Sequence, residues 1–462
     1  MKKILASKHF YFVGIGGIGM SGLAKILKKM GKDVSGSDIT GSNITKELEK
    51  IGTRIYIGHN ASNIGDPDAV VISSAIKNNP EVEEAKKRKI PVVKRSELLG
   101  FLMDEKKGIA VAGTHGKTTT ATLISLILEE AGLDPTIAIG GEVKNIGGNA
   151  KFGKGEYFVA ETCEYERGLL DIRPYAAIIT NIEEEHLDTY KDLNDIVATF
   201  KKFISQINND GFAVVSGDDF NIPKILKDFN IETITYGIKD TSSMWQAREI
   251  RVEEGLTNFT AYKNNQKITE FSLKIPGSHN ISNAMGAIAL TSRLGVKIGV
   301  IKKALNNFSG VRRRFEIKGK NRGIIVIDDY GHHPTEIKAT LNGLRSIYQD
   351  NSRKVWCVFQ PHQHSRTRFL LQEFARSFDD ADRVMIPDIY AVRDSEKDIK
   401  SVSGKDLANK INKIKKDKAV YLPTFEEIVA HLKNNVKNGD IVLTIGAGPV
   451  YKIGEILLKI LK

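Results

Sequence analysis

Three α/β domains built on parallel sheets are the fold this 462-residue sequence predicts, and three observations carry the expectation. A glycine loop follows a short apolar strand at residue 14, a second one with a lysine follows another strand at residue 113, and beyond residue 312 the strand-then-helix rhythm starts afresh. Strands that alternate with helices form βαβ units, and their strands pair in parallel. The length agrees, because a chain of this size exceeds one hydrophobic core and suits about three domains.

The first domain reads as strands at 9–13, 33–37, 69–73 and 91–94, each followed by a helical stretch. A polar run at 104–108 closes it, and a new strand begins at 109–112. The second domain continues with strands at 157–160, 176–180 and 212–216, an alternating β-like stretch at 248–275, and helices at 280–294 and 296–307. The third has strands at 323–328, 354–359, 383–386, 419–422 and 441–445. The boundaries expected are 1–104, 105–310 and 311–462, with a Rossmann-like N-terminal domain, a central P-loop ATPase-type domain with a parallel sheet, and a Rossmann-like C-terminal domain. No short repeat or low-complexity segment interrupts them.

Composition excludes several classes. Hydrophobic residues at 41% and charged residues at 27% describe a globular chain. Cys163 and Cys357, the two cysteines, cannot form a disulfide framework, which points to a reducing, cytoplasmic compartment. The opening from Met1 to Ala6 imitates a signal peptide, but Ser7-Lys8-His9 interrupts the apolar run. No stretch is apolar for long enough to span a bilayer. The net charge of +12 comes with scattered clusters (Lys86 to Lys89, Arg312 to Arg314, Lys415-Lys416) that lack interleaved aromatics, so no nucleic-acid partner is expected. Such a field favours anionic nucleotides instead. Composition leaves monomer and homodimer both open.

Gly14-Ile15-Gly16-Gly17-Ile18-Gly19 fits the dinucleotide pattern in its required context, and Asp38 closes the second strand. Small residues let a diphosphate reach the free N–H groups of a helix N-terminus, so an NAD dehydrogenase and a UDP-sugar enzyme both remain open. Gly113-Thr114-His115-Gly116-Lys117-Thr118-Thr119 lies between a strand and an apolar helix expected from Thr120. Its N–H groups would cradle phosphates, Lys117 would neutralise the outer ones, and the Thr118 hydroxyl would ligate Mg²⁺. The strict pattern wants a glycine where this chain has Val111. Glu161 and His186 sit at strand ends, on the edge where α/β sheets bind ligands; a capping carboxylate and a core histidine are the plainer readings. A zinc hydrolase using His332, His333, His362 and His364 is a further possibility, from their His-x-His spacing.

Taken together, several stretches resemble the Mur ligase family: residues 14–22, Ser73-Ser74-Ala75-Ile76, Thr114 to Thr119, Thr180-Asn181-Ile182-Glu183 with His186-Leu187-Asp188, and Asp328 to Pro334. The family's short loop, Gly-Thr-x-Gly-Lys-Thr, accounts for Val111. The resemblance implies an ATP- and Mg²⁺-dependent enzyme that phosphorylates the lactyl carboxylate of UDP-N-acetylmuramate and joins it to L-alanine, in peptidoglycan precursor synthesis. A relative that attaches a ready-made tripeptide to the same sugar nucleotide is the alternative.

The resemblance also implies roles for single residues. Gly16, Gly17, Ile18, Gly19, Asp38, Ser73 and Ser74 would hold the UDP-sugar. Gly113, Thr114, His115, Gly116, Lys117, Thr118, Thr119, His279, Asn280, Asn283, Arg314 and Asp329 would hold ATP. Lys117, Glu161 and His186 would be catalytic, with Thr118, Glu161 and His186 on the metal; Tyr330, His332, His362 and Arg366 would take the amino acid. Phe200 stands where some relatives carry a carbamylated lysine, with Lys201 beside it. Gln363 replaces a second arginine, and Gly446-Ala447-Gly448-Pro449 replaces an ending in aspartate.

Overall fold

The computed structural model describes residues 2–74, 76, 78–186, 188–348, 353–392 and 394–461. Met1, Ala75 and Leu187, each named above, lie outside the described residues. Among the described residues three sheets organise the chain, and fully buried runs such as Phe10-Tyr11-Phe12-Val13 form their central strands, because a parallel strand covered on both faces must be apolar throughout.

The first sheet has the order β3-β2-β1-β4-β5, all parallel, from β1 (His9–Val13), β2 (Asp33–Asp38), β3 (Arg54–Ile57), β4 (Ala69–Ile72) and β5 (Val92–Lys94). The chain order reverses between β1 and β4, so the glycine loop after β1 opens at the switch point where such sheets bind ligands. β3 went unread in the sequence because it is short, at the sheet's edge and half exposed.

The second sheet contains β6 (Lys107–Ala112), β7 (Thr136–Val143), β8 (Gly148–Lys151), β9 (Tyr157–Glu161), β10 (Ala176–Ile179), β11 (Phe212–Ser216), β12 (Glu232–Gly237), β13 (Trp245–Glu253), β14 (Leu256–Lys263) and β15 (Gln266–Leu273), in the order β15-β14-β13-β12-β11-β10-β6-β9-β7-β8. The alternating stretch read at 248–275 is thus three strands. β7, β8 and β12 were not anticipated; β8 runs antiparallel to β7 across a register shift, and its Gly-Asn-Ala-Lys carries no strand signal.

The third sheet follows β16-β17-β21-β18-β19-β20, with β16 (Glu316–Asn321), β17 (Ile324–Asp329), β18 (Val355–Phe359), β19 (Arg383–Ile386), β20 (Ala419–Tyr421) and β21 (Ile441–Ile445). β17, β21, β18, β19 and β20 pair in parallel, whereas β16 runs antiparallel to β17, an edge strand bulged between Ile317 and Gly319 whose Lys-Gly-Lys-Asn end hid it in the sequence.

Contact density divides the chain into two compact units, one of residues 1–248, 260–271 and 282–308, the other of 249–259, 272–281 and 309–462. Within the first, a single apolar cluster joins Phe10, Leu23 and Leu98 to Ala110, Phe158 and Phe203. The helix Arg95–Met103 packs there so closely that a Cβ on Gly100 would lie 2.1 Å from the Asp171 carbonyl oxygen. In the second, separate apolar clusters cover the third sheet through Ile327, Leu341 and Phe359 and through Val326, Met385 and Leu457. Cys163 and Cys357 are both free thiols, and among the described residues no helix is long and apolar enough to cross a membrane.

Candidate active site

The helix after the second glycine loop begins at Lys117, three residues before the expected start, and runs to Glu130. Gly116 sits just before it at φ 81°, a conformation that L side chains resist, and a Cβ there would also lie 2.3 Å from Asn283 Oδ1. Glycine is required twice over. Lys117, Thr118 and Thr119 therefore occupy the first turn, whose N–H groups have no partner within the helix and favour an anion.

The Thr180-Asn181-Ile182-Glu183 motif holds the loop from behind. His115 N donates to Asn181 Oδ1 at 2.8 Å, Thr180 Oγ1 donates to His115 O at 2.5 Å, Thr114 N donates to Asn181 O at 3.0 Å, and Glu183 N donates to Thr114 Oγ1 at 2.8 Å. Gly113 (φ 129°) lies so close that a Cβ would meet Thr180 Oγ1 at 2.1 Å.

Lys117 Nζ donates to Gly113 O at 2.6 Å, Thr114 O at 2.9 Å and Glu164 Oε1 at 3.0 Å. Burial alone would lower its proton affinity, but the carboxylates of Glu164 and Glu161 outweigh burial and raise it, so the ammonium persists at neutral pH. Thr118 Oγ1 donates to Glu161 Oε2 at 2.8 Å, as does Gly140 N at 2.8 Å, which brings hydroxyl and carboxylate together at the end of β9. His186, in a left-handed conformation at φ 53°, stands by a different carboxylate: its Nε2 is 4.0 Å from Glu164 Oε1, with the Tyr165 ring 5.3 Å away. Glu164 was not singled out in the sequence. Only its spacing from Glu161 along one strand end could have suggested it. Phe200 is fully buried, whereas Lys201 is 40% exposed and paired with Asp228, so the lysine is turned away from the core position that Phe200 fills.

At the first loop Asp38 Oδ2 accepts from Gly16 N at 2.8 Å. Gly17 precedes the helix Ile18–Lys29, so Ile18 and Gly19 lie in its first turn. A Cβ on Gly14 would lie 3.8 Å from Ser73 Cβ, while Ser74 is exposed beyond β4. Behind the loop lies an unanticipated network. Fully buried Glu81 accepts from Tyr11 Oη at 2.9 Å, Asn60 N at 3.2 Å, Asn63 Nδ2 at 3.1 Å and Ser37 Oγ at 2.5 Å, and faces His59 Nδ1 at 3.1 Å.

In the second unit, the residues expected around an amino acid form one chain of contacts. The ring centroids of Tyr330 and His332 are 5.7 Å apart, those of His332 and His362 are 6.1 Å apart, and Arg366 Nη1 is 2.9 Å from His362 Nδ1. The zinc reading fails on the same geometry. His333 caps a helix and receives Thr335 N at 3.3 Å, while His364 Nδ1 pairs with Asp394 at 3.0 Å, so the four histidines do not converge. Gln363 is buried at φ 69° and donates to Val392 O at 3.3 Å. His279 and Asn280 lie in the first turn of the helix Ser278–Arg293; Asn280 Nδ2 donates to Pro276 O at 2.6 Å, so its amide ties down the preceding turn. Asn283 follows on that helix.

Arg314 lies over the Tyr330 ring at 5.2 Å, with Nη1 3.6 Å from Glu336. Asp329 accepts from Phe315 N at 2.8 Å and Gly331 N at 2.7 Å, yet burial raises its pKa to about 6. A carboxyl with a folded pKa above its unfolded value costs nothing below pH ~4, where both states hold the proton, and destabilises increasingly as pH rises to about 6. The full penalty, about 3 kcal/mol, persists above that. We expect unfolding titrations of wild type and Asp329→Asn to diverge in slope over this window, the wild type losing the extra stability; parallel slopes would contradict the assignment.

Three family models match in order: "Mur ligase family, catalytic domain" over residues 9–107, "Mur ligase middle domain" over 111–291, and "Mur ligase, glutamate ligase domain" over 313–448. A protein of Acetivibrio thermocellus named "UDP-N-acetylmuramate--L-alanine ligase" is 50% identical over 98% of this chain and 96% of its own. One of the same name from Caldanaerobacter subterraneus is 46% identical over 98% and 97%. Among solved structures, a UDP-N-acetylmuramate-alanine ligase of Thermotoga maritima superposes with a TM-score of 0.84 at 29% identity, covering 98% of both chains, and a murein peptide ligase of Psychrobacter arcticus with 0.73 at 26%, also covering 98% of both. The phosphate loop braced by Thr180 to Glu183, the ordered matches across all three sheets and this identity over nearly the full length lead to one conclusion: the chain belongs to the Mur ligase family.

Proposed function

We propose that this chain is an ATP-dependent ligase that joins L-alanine to the lactyl carboxylate of UDP-N-acetylmuramate through an acyl phosphate, in peptidoglycan precursor synthesis. The observation that carries the reading is the 50% identity, end to end, with a relative named for that reaction. Membership also removes the NAD dehydrogenase reading of the first glycine loop, whose N–H groups serve a UDP-sugar's diphosphate equally well. The tripeptide alternative is weaker, since the murein peptide ligase superposes less closely than the alanine ligase does.

Activation brings two anions together, which at ~4 Å and an effective dielectric near 20 costs about 4 kcal/mol per pair of unit charges. Lys117 offsets part of this. Mg²⁺ suits the adjacent oxygens of Thr118 and Glu161, which are hard donors 2.8 Å apart. His186 would complete the metal set, and the ion would neutralise phosphate charge when bound. The loop residues Gly113 to Thr119, with Asn283 against Gly116, orient the triphosphate. His279, Asn280, Arg314 and Asp329 serve the rest of the nucleotide.

Gly16 to Gly19, Asp38, Ser73 and Ser74 serve the UDP-sugar. Arg366 offers a planar fork for the amino acid's carboxylate, flanked by Tyr330, His332 and His362. The functional division follows 1–104, 105–310 and 311–462, in a cytoplasmic monomer or homodimer.

Incubation with ATP, Mg²⁺, UDP-N-acetylmuramate and L-alanine is expected to release phosphate in step with amide formation, and far faster with L-alanine than with the tripeptide. Release that needs the tripeptide, or none at all, refutes the assignment.

A further inference from the structure

An ammonium has three N–H donors, and Lys117 uses all of them inside the chain: two on the loop carbonyls of Gly113 and Thr114, one on Glu164 Oε1. A phosphate oxygen can reach that lysine only by exchange. The carbonyls shape the loop itself, whereas the Glu164 carboxylate carries the same sign of charge as a phosphate and makes the same charge-assisted bond. It is the partner that a phosphate replaces with least disturbance.

Glu164 is built into this position. It is 3% exposed, and its backbone carbonyl receives Tyr190 Oη at 2.5 Å and Arg167 N at 2.8 Å. The turn that follows holds Glu166 (φ 50°) and Arg167 (φ 58°) in left-handed conformations, which L side chains resist. Arg167 is then strapped to Asp195 at 2.8 Å and Thr199 at 2.7 Å. The other carboxylate oxygen of Glu164, Oε2, is buried and has no hydrogen-bond partner among the described residues. A fully satisfied structural carboxylate would not leave that oxygen bare; one that must let go of its cation has reason to be bound on one side only.

We infer that Glu164 is a positioning residue that holds Lys117 in the place of an outer phosphate of ATP and yields it when the triphosphate binds. The inference rests on the ATP-site reading above. Its consequence runs against the usual result of removing a site residue: without the competing carboxylate, ATP binds more tightly.

The test is equilibrium binding of a non-hydrolysable ATP analogue and of AMP, each with Mg²⁺, to wild type, Glu164→Gln and Glu164→Ala. Removing a buried like charge is expected to tighten the analogue about tenfold in the alanine variant and by less in the near-isosteric glutamine variant. AMP has no outer phosphate, so its affinity is expected to stay constant. An unchanged or weaker analogue affinity overturns the inference, as does parallel loss of both ligands with a lowered Tm, which marks a purely structural carboxylate. Failure of wild type to bind the analogue at all instead refutes the ATP-site reading on which the inference stands.

Discussion

Lys117→Ala is expected to reduce phosphate release by about a thousandfold or more while leaving UDP-sugar binding nearly intact. The lysine is the cation hydrogen-bonded within the loop, and two carboxylates, Glu161 and Glu164, outweigh burial in keeping it charged. Its removal leaves Glu164 without the ion pair and places incoming phosphates beside unscreened like charge. At an effective dielectric near 20 a single such pair at ~4 Å is worth about 4 kcal/mol, which is the thousandfold. The first glycine loop belongs to another sheet, and Gly14 N and Ile15 N bond to Ser37 O rather than to anything in the second loop. Steady-state assays with a separate titration of the UDP-sugar check both halves; equal loss of the two would contradict the division of labour.

The largest effect on stability is expected at Glu81. Tyr11, Ser37, Asn60 and Asn63 all donate to this fully buried carboxylate, and Ser37 spends its one hydroxyl proton there, so His59 Nδ1 must be the donor toward the Ser37–Glu81 pair. Glu81→Ala strands these donors in the interior at a cost of about 3–5 kcal/mol. Because Ser37 O also anchors the glycine loop, the same variant is expected to raise the KM for the UDP-sugar more than that for ATP. Urea unfolding with paired KM measurements checks this. A cost below about 1 kcal/mol would show that the network relaxes into water.

The elements legible in the sequence were those whose residues answer to a local demand. β1, β11, β19 and β21 emerged at their observed limits, since a short apolar run bounded by turn residues has one way to be buried. The start of the phosphate-loop helix did not: the sequence put Lys117 in the loop, but Gly116 at φ 81° turns the chain early. β3, β8 and β16 were missed because edge strands owe their existence to a neighbour's unpaired N–H and C=O groups, which leave no mark on their own composition.

The same division runs through the site. The glycine spacing, Lys117, Thr118 and the order of the motifs were fixed by the sequence itself, because close approach of a phosphate to backbone tolerates few residue types at few positions. That Glu164 rather than solvent answers Lys117, that His186 stands beside Glu164, and that Glu81 gathers donors from three separate segments were decided by the tertiary structure alone. Buried charges must be paired, but the partner is chosen by which side chains the packed sheets bring within about 3 Å, and that distance has no counterpart along the chain.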